Sequence, residues 1–436
     1  MTDVNRRRLL IAGGALGAFG ALGMASPARA RSLWTWSPSD SVAGRGAGVD
    51  PDWVWDDEVD AIIAEVIERG QVPRVNDLLR NWVRNDQPLP DGLPAELRDW
   101  MEEARKLPSW ADTAKLQDAV DFTRRKGLYT GVLYGLGSGL LSTAIPREAR
   151  AVYYSKGGAD MKDRVAKTAQ LGYDVGDVYA YRPQGGMIAT SVRTRLVHAA
   201  VRHLLPRSPG WSRTSGGQTV PISQADMMVT WHSLPTYVMG KLRDWRVPIT
   251  ETESEGFLHV WQVSAHMLGI RDEYIPATWA AANAQSRQVL DPIVDHTPEG
   301  AALTDALLGI IAEVDAGLTE PLINAFSRYI VGDRVGDLIG LDREPILQPV
   351  VGAAWPLVVA FREGLIPLPG VPSIAWTLEE ALRKFVLLFM SEGRPIHLEI
   401  PDALLTPPLA RPVNARKGVR PVPPTRRDGM VTQYAR

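Results

Sequence analysis

No cysteine occurs among the 436 residues. A disulfide framework is therefore excluded, and the folded chain must be stabilised by packing. The same absence excludes iron–sulfur clusters, thiolate-ligated haem, cysteine-based zinc sites and the C-x-x-C-H attachment of c-type haem. Any bound metal must be held by histidine, carboxylate, tyrosine, methionine or lysine side chains.

The alternating strand-like runs and tight-turn signals of β-hairpins are also nearly missing. Apolar residues instead recur with the period of an α-helix, which predicts an all-α fold with one interlocked core. Beyond the first 30 residues, no apolar run reaches the length of an uninterrupted membrane span. Prolines interrupt the apolar run after Glu344, and we expect it to form buried helices or the wall of an apolar cavity. The clearest predicted helices are 57–70, 95–107, 113–137 and 377–390.

The N-terminus has the pattern of an export signal. Arg6, Arg7 and Arg8 precede a stretch without charge, which ends in the small-residue site Ala28-Arg29-Ala30. Paired arginines followed by two leucines indicate a twin-arginine signal peptide over residues 1–30, and hence a secreted protein. An N-terminal membrane anchor is the alternative. Twin-arginine export carries proteins that are already folded, often with a cofactor inserted.

Charge divides the remainder of the chain into two parts. Residues 1–30 carry +3 and residues 411–436 carry +6, so that of the total of −2 the body, residues 31–410, holds −11. An acidic body argues against nucleic acid as the main partner. The basic segment 411–436 is rich in proline and poor in large apolar residues, which predicts a disordered tail. Residues 31–410 are predicted to form a single domain.

The seven histidines do not form a conventional metal site. His198 and His203 lie five residues apart, on different faces of a helix, and His259 and His266 lie two turns apart, about 10 Å along a helix axis. Haem iron needs only one imidazole on a helix in apolar surroundings, because the porphyrin supplies four nitrogens. His198, with Leu196 and Val201 nearby, is placed for that role, although a purely structural histidine remains the alternative.

The segment MKDRVAKTAQ (161–170) places charge where core is expected. Arg164, Lys167 and Thr168 follow the spacing i, i+3, i+4, so on a helix they share one face with Met161 and Leu171. Two cations and a hydroxyl therefore converge among apolar residues.

Glu148 in IPREARA, the three residues in MKDRVAKTA, and His198 in RTRLVHAAVRH together resemble the latex-clearing proteins, secreted actinomycete rubber oxygenases that bind b-type haem. The resemblance runs from about Trp53 to about Pro401 and includes the twin-arginine signal. It implies a globin-like helical core with additional N- and C-terminal helices. His203, His232, His259, His266 and His296 fit the histidine-rich middle of the family.

The resemblance further implies one non-covalent haem b per chain, with His198 as the proximal iron ligand. The activity it implies is cleavage of the double bonds of cis-1,4-polyisoprene by O2, giving oligo-isoprenoids with aldehyde and ketone ends. Within that site, Arg164 and Thr168 suit the stabilisation of negative charge on oxygen. Lys167 could ligate the distal iron position in a closed state, and Glu148 could act as a general base on an allylic proton. We expect a monomer without stable membrane insertion.

Other roles stay open for these residues. Arg164 could pair with a haem propionate, Glu148 could form a salt bridge with Arg164, and Thr168 could serve packing or bond back to the helix. A secreted haem- or oxygen-binding protein without turnover would use the same pocket. A secreted hydrolase is disfavoured because no G-x-S-x-G motif is present.

Overall fold

A computed structural model describes residues 34–154, 161–209, 211, 220–312, 320–364 and 398–403, with the backbone alone described for 161–164, 173 and 311–312. The described residues from Trp36 onward belong to one compact unit. The predicted signal peptide, the predicted helix 377–390, His397 and the predicted tail lie outside the described residues.

The described residues are predominantly helical, which confirms the all-α class. Their β-structure consists of two isolated bridges, Ser41 with Pro276 and Trp55 with Ser223. The α-helices, numbered in chain order, are α1 (Asp60–Glu68), α2 (Val72–Leu79), α3 (Ala95–Ala104), α4 (Thr113–Val132), α5 (Gly139–Thr143), α6 (Pro146–Tyr153), α7 (Met161–Val175), α8 (Met187–Leu204), α9 (Gln224–Trp231), α10 (Tyr237–Asp244), α11 (Glu251–Met267), α12 (Trp279–Val289), α13 (Pro298–Ala312), α14 (Glu320–Leu338) and α15 (Leu347–Arg362).

The predicted helices that fall in the described ranges are confirmed, with changes at their ends. Helix α1 ends two residues before Gly70, whose φ of +64° is readily adopted only by glycine. Helix α4 begins after Asp112, which caps it by accepting hydrogen bonds from the amides of Ala114 and Lys115. It then continues through a π-helical turn, Leu133–Ser138, directly into α5.

Helices α4 and α11 form the central pair of the fold and pack along each other. Phe122 of α4 and Phe257 of α11 are buried against one another, with ring centroids 4.7 Å apart. Next to this contact, Gly256 lets the two backbones approach closely, because a Cβ atom at this position would lie 2.8 Å from the amide nitrogen of Ala119. The absence of a side chain at Gly256 therefore sets the distance between the two helices.

The N-terminal helices α1–α3 pack against α8 rather than against the central pair. Val59, Ile63 and Val66 from the first helix region join Val192 and Leu196 of α8 in one buried apolar cluster. The C-terminal segment joins the same cluster through Ile400. The backbone N–H and C=O of Ile400 both bond to the side chain of Asn76, each at 2.9 Å. Helix α8 is therefore enclosed by segments from both ends of the described chain.

The apolar run after Glu344 departs from the expectation of a buried and interrupted segment. It forms one continuous helix, α15, with Pro356 inside it. Val351 and Val359 are buried, but most of the remaining large apolar side chains of α15 are exposed. For residues 345–364 the expectation of burial was wrong, because a run that is apolar at nearly every position carries no amphipathic signal that distinguishes a buried face from an exposed one.

The length and hydropathy of a helix decide whether it could cross a membrane. Among the described residues, no single helix combines the length and hydropathy needed to cross a membrane. The segments Thr113–Thr143 and Pro146–Tyr153 satisfy the requirement only when they are taken together, across a bend of 93°.

We predict that Gly256→Ala destabilises the protein by about 1–3 kcal/mol, because the new methyl group would contact backbone atoms of α4 that cannot move independently. The matched control is Gly240→Ala in α10, where a Cβ atom has nothing within 4 Å. Alanine at that position should stabilise its helix by about 0.5–1 kcal/mol. Urea unfolding measures both changes, and equal effects of the two substitutions would contradict the close approach of α4 and α11.

Candidate functional site

Helix α8 carries His198 in its second half. The helix is lined by fully buried apolar residues, among them Val192, Leu196 and Ala199. The ring of His198 is partly buried and its Nδ1 atom is inaccessible to solvent. This is the apolar setting that the sequence predicts for a histidine ligand, and His198 can serve as a single axial ligand from a rigid helix.

Two buried guanidinium groups hold α8 on either side of His198. Arg195, three residues before it, binds both carboxylate oxygens of Asp56, at 2.8 Å from Nε and 2.7 Å from Nη2. Arg202, four residues after it, binds Asp60 from Nη2 at 2.7 Å. Burial by itself lowers the pKa of Arg195, but the hydrogen bonds and negative charge of Asp56 outweigh it, and the pKa is raised above its ordinary value. Both bonds fix the rotation of α8 about its axis and therefore the direction of His198.

Sequence reasoning did not find Arg195 and Arg202. Their only signal is that they share with Arg193 a helix whose other buried residues are mostly apolar. Asp56 is 139 residues away from its partner Arg195 in the chain. No local pattern connects residues at that separation, so the pairing becomes visible only in the folded structure.

Glu148 lies in the first turn of α6 and is joined to helix α9. The hydroxyl of Thr230 donates a hydrogen bond to Oε1 of Glu148 at 2.5 Å. The preceding residue, Arg147, binds Asp226 of α9 at 2.6 Å and Asp52 at 3.2 Å. Because Asp226 and Thr230 are one helical turn apart, adjacent residues of α6 hold two successive turns of α9. The Glu148 carboxylate thereby has a defined orientation at a partly exposed position.

The segment that contains Arg164, Lys167 and Thr168 forms helix α7, as predicted. Lys167 is half-buried, whereas Thr168 is exposed, so the predicted stripe is not uniformly enclosed. The side chain of Arg164 lies outside the described residues, and its expected pairing with Glu148 stays a prediction.

The packing of α7 links the helices that carry the candidate residues. Helix α7 packs against α8, which carries His198. Helix α13 contacts α7 and also α6, which carries Glu148. The three chain segments that sequence reasoning singled out are therefore joined by helix packing, with α13 as the element that the first and second segments share.

Two of the remaining histidines are buried and hydrogen-bonded. His232 is fully buried, with Nδ1 2.9 Å from Thr236 Oγ1 and Nε2 2.8 Å from Gln285 Oε1. Burial lowers the pKa of His232 to about 4, so its ring is neutral at ordinary pH. His259 accepts the amide N–H of Asp112 on Nε2 at 2.8 Å, which ties α11 to the start of α4.

The other described histidines also have structural partners. His203 lies 3.7 Å from Glu68, His266 lies 2.6 Å from Asp272, and His296 Nδ1 lies 2.7 Å from the carbonyl of Leu338. His203 and His232 thus both face partners within the fold. Within the described ranges, no group of three or more histidine, aspartate or glutamate side chains could hold a metal ion.

Comparison with known proteins gives concordant relationships. The family model for the catalytic domain of ER-bound oxygenase mpaB/B′/Rubber oxygenase matches residues 123–361. The chain is 68% identical to the rubber oxygenase of Streptomyces sp. (strain K30) over 402 residues, which cover 92% of this chain and 99% of that protein. The solved structure of latex clearing protein LCP in the closed state superposes with a TM-score of 0.78 at 69% identity, covering 85% of this chain and all of the solved one (100%).

We predict that Arg195→Met destabilises the fold by about 3–5 kcal/mol, because Asp56 would be left as a buried charge without its partner. The double variant Asp56→Asn with Arg195→Met removes both charges and should recover a large part of the loss. Guanidinium unfolding measures the free energies of unfolding of the parent protein, the two single variants and the double variant. A double variant that is as unstable as the sum of the single variants would contradict the coupling of the two groups.

The buried His232 predicts a pH dependence of stability. Its folded-state pKa of about 4 lies below the ordinary value of 6.5, so the unfolded chain binds the proton first. Stability should therefore fall as pH decreases from about 6.5 to about 4, by up to about 3 kcal/mol for this group. The loss should be reduced in His232→Gln and unchanged in the control His296→Gln. Thermal unfolding across this pH range measures it, and identical slopes in the two variants would contradict the assignment.

Proposed function

The chain belongs to the family of ER-bound oxygenases mpaB/B′ and rubber oxygenases, and from this membership we propose that it is a secreted haem b dioxygenase that cleaves cis-1,4-polyisoprene with O2. The observation that carries the proposal is the 68% identity to a rubber oxygenase along 92% of the chain. This relationship supports an oxygenase that acts on rubber. We further propose that the protein binds haem, that the products carry aldehyde and ketone ends, and that the twin-arginine route exports it.

The side chains that are present fit haem b. The chain has no cysteine, and its described residues include no group of three or more side chains that could ligate one metal ion. A metal held there would therefore need most of its ligands from a prosthetic group. His198 offers one imidazole nitrogen from an apolar and rigidly held helix, which suits an axial ligand. Lys167, half-buried on the neighbouring helix α7, would be a second residue that holds the group in a closed state. Haem, when bound, supplies the binding and activation of O2.

The protein residues have distinct tasks in this reaction. Polyisoprene has no polar group, so it must be positioned by apolar contacts alone, which also exclude water. Glu148, oriented by the Thr230 hydroxyl, would take a proton from an allylic carbon and later return it. Arg164 and Thr168 would donate hydrogen bonds to negative charge that develops on oxygen. Both oxygen atoms enter the product, one in an aldehyde and one in a ketone, so no external reductant is consumed.

A haem- or oxygen-binding protein without turnover is the second candidate. It would use the same His198 and the same helices, but it would have no need of a carboxylate held by a hydroxyl at a partly open position. The Glu148–Thr230 hydrogen bond at 2.5 Å favours the oxygenase. Secretion as a monomer, with a basic tail beyond residue 410, completes the proposal.

We predict a Soret absorption band in the purified protein that is lost in His198→Ala and retained in Glu148→Gln. The Glu148 variant should cleave polyisoprene about 10²–10⁴-fold more slowly, because it has lost a general base. The absorption spectrum and O2 uptake on addition of polyisoprene latex are the two measurements.

Each measurement can contradict a different part of the proposal. A purified protein without Soret absorption and without iron would contradict the haem assignment. A Soret band without O2 uptake on latex would favour the binding protein. Full cleavage by Glu148→Gln would remove only the assignment of the general base.

A further inference from the structure

Helix α15 exposes one face that is entirely apolar. Its large exposed side chains have exposed fractions between 41% and 80%, and they are Ile346, Val350, Leu357, Val358 and Phe361. The smaller exposed positions between them are proline or alanine. No charged residue occurs between Glu344 and Arg362. Contiguous apolar surface of this kind is rare on monomeric soluble proteins and marks a contact with a partner.

The exposed residues form a continuous stripe because their spacing follows the helix period. Positions 346, 350, 357 and 361 are separated by four, seven and four residues, so they lie on one side of the helix. The stripe spans about 24 Å at 1.5 Å per residue.

The opposite side of α15 is anchored to the fold. Val351 and Val359 are buried there. Trp355 packs against Trp245 and Phe326, with ring centroids 4.8 and 4.7 Å apart. The exposed stripe is therefore presented on a fixed support.

The chemistry of the stripe distinguishes between possible partners. A protein partner would ordinarily form about one hydrogen bond per 100–200 Å² of interface. The exposed side chains of residues 345–361 include no hydrogen-bond donor or acceptor. A phospholipid surface favours helices with Lys or Arg reaching the headgroups. Of the two cations that flank α15, Arg362 is largely buried, with its guanidinium carbon 4.8 Å from the ring centroid of Tyr129. The other, Arg343, is paired with Asp337 at 2.5 Å. A hydrocarbon without polar groups or charge is the partner that this face matches.

We propose that the exposed face of α15 is the surface by which the protein adsorbs to solid polyisoprene. The inference rests on the proposed function for the identity of the hydrocarbon, and it assigns to α15 a step that precedes cleavage. Adsorption would concentrate the enzyme at an insoluble substrate that cannot diffuse to it. Loss of the apolar face should therefore weaken binding to particles without altering the chemistry on a short, dispersed substrate.

The test compares a double variant, which carries Val350→Ser and Leu357→Ser in one chain, with the single control variant Val83→Ser. Val83 is 49% exposed and Val350 is 56% exposed, so the control makes the same change at a similarly exposed site elsewhere. Washed cis-1,4-polyisoprene particles are sedimented with each protein under nitrogen, which measures binding in the absence of turnover. We expect at least tenfold weaker binding of the double variant, and no change for Val83→Ser. The rate with a short oligo-isoprenoid dispersed in detergent should be unchanged in both.

The absence of cysteine allows a second, independent measurement. Leu357→Cys can be labelled with a maleimide dye that is sensitive to polarity, and its emission should shift to the blue when particles are added. This readout holds even if the serine variant does not fold. Failure to label the native protein would show that residue 357 is covered, by another segment of this chain or by a second copy, and would overturn the proposal.

The remaining outcomes separate this inference from the proposed function. Undiminished particle binding by the double variant would overturn the role of α15. Equal or stronger binding of the parent protein to phosphatidylcholine vesicles of the same surface area would overturn the hydrocarbon assignment. If the protein binds particles through α15 but does not cleave polyisoprene, the role of α15 in adsorption stands and the oxygenase proposal is refuted.

Discussion

The ion pairs between α8 and the N-terminal segment are the constraint on which the candidate site depends. Arg195 and Arg202 bracket His198 and are bound by Asp56 and Asp60, all within a region otherwise filled by aliphatic side chains. Apolar packing by itself fixes the depth of a helix but resists rotation weakly. Bidentate pairing of a planar guanidinium with a carboxylate is directional. The ion pairs therefore define which way His198 points, and burial shields their two guanidinium groups from water.

The carboxylate of Glu148 is held by a different kind of support. Glu148 and Thr230 meet at a partly exposed position, where a hydrogen bond competes with water. The adjacent Arg147 compensates by binding Asp226 and Asp52, so that the first turn of α6 is tied to α9 and to the chain before α1. The proposed function makes use of both supports, because a haem that stays bound needs a rigid helix and a polymer that enters and leaves needs an accessible carboxylate.

Local features of this fold could be predicted from the sequence, and distant pairings could not. The start of α4 could be predicted because Asp112, its capping residue, is adjacent in the chain. Gly70 likewise marks the end of α1. His198 was identifiable as a lone imidazole among aliphatic residues. The partner of Arg195 is 139 residues away and that of Glu148 is 82 residues away, beyond the reach of any helical period. The exposure of α15 was also missed, because its sequence is apolar on every side and only the packing of Trp355 determines which side faces inward.

The acidity of the body opposes self-association of the chain through the exposed apolar stripe on α15. Two copies that met through this face would bring together bodies that each hold −11 over residues 31–410, and like charge opposes that contact. Salt screens the repulsion beyond about 8 Å, so it weakens self-association without abolishing it. An uncharged hydrocarbon surface incurs no such repulsion and gains the full benefit of apolar burial. The same net charge thus disfavours an acidic partner or a second copy at α15, in agreement with the adsorption to polyisoprene that we propose.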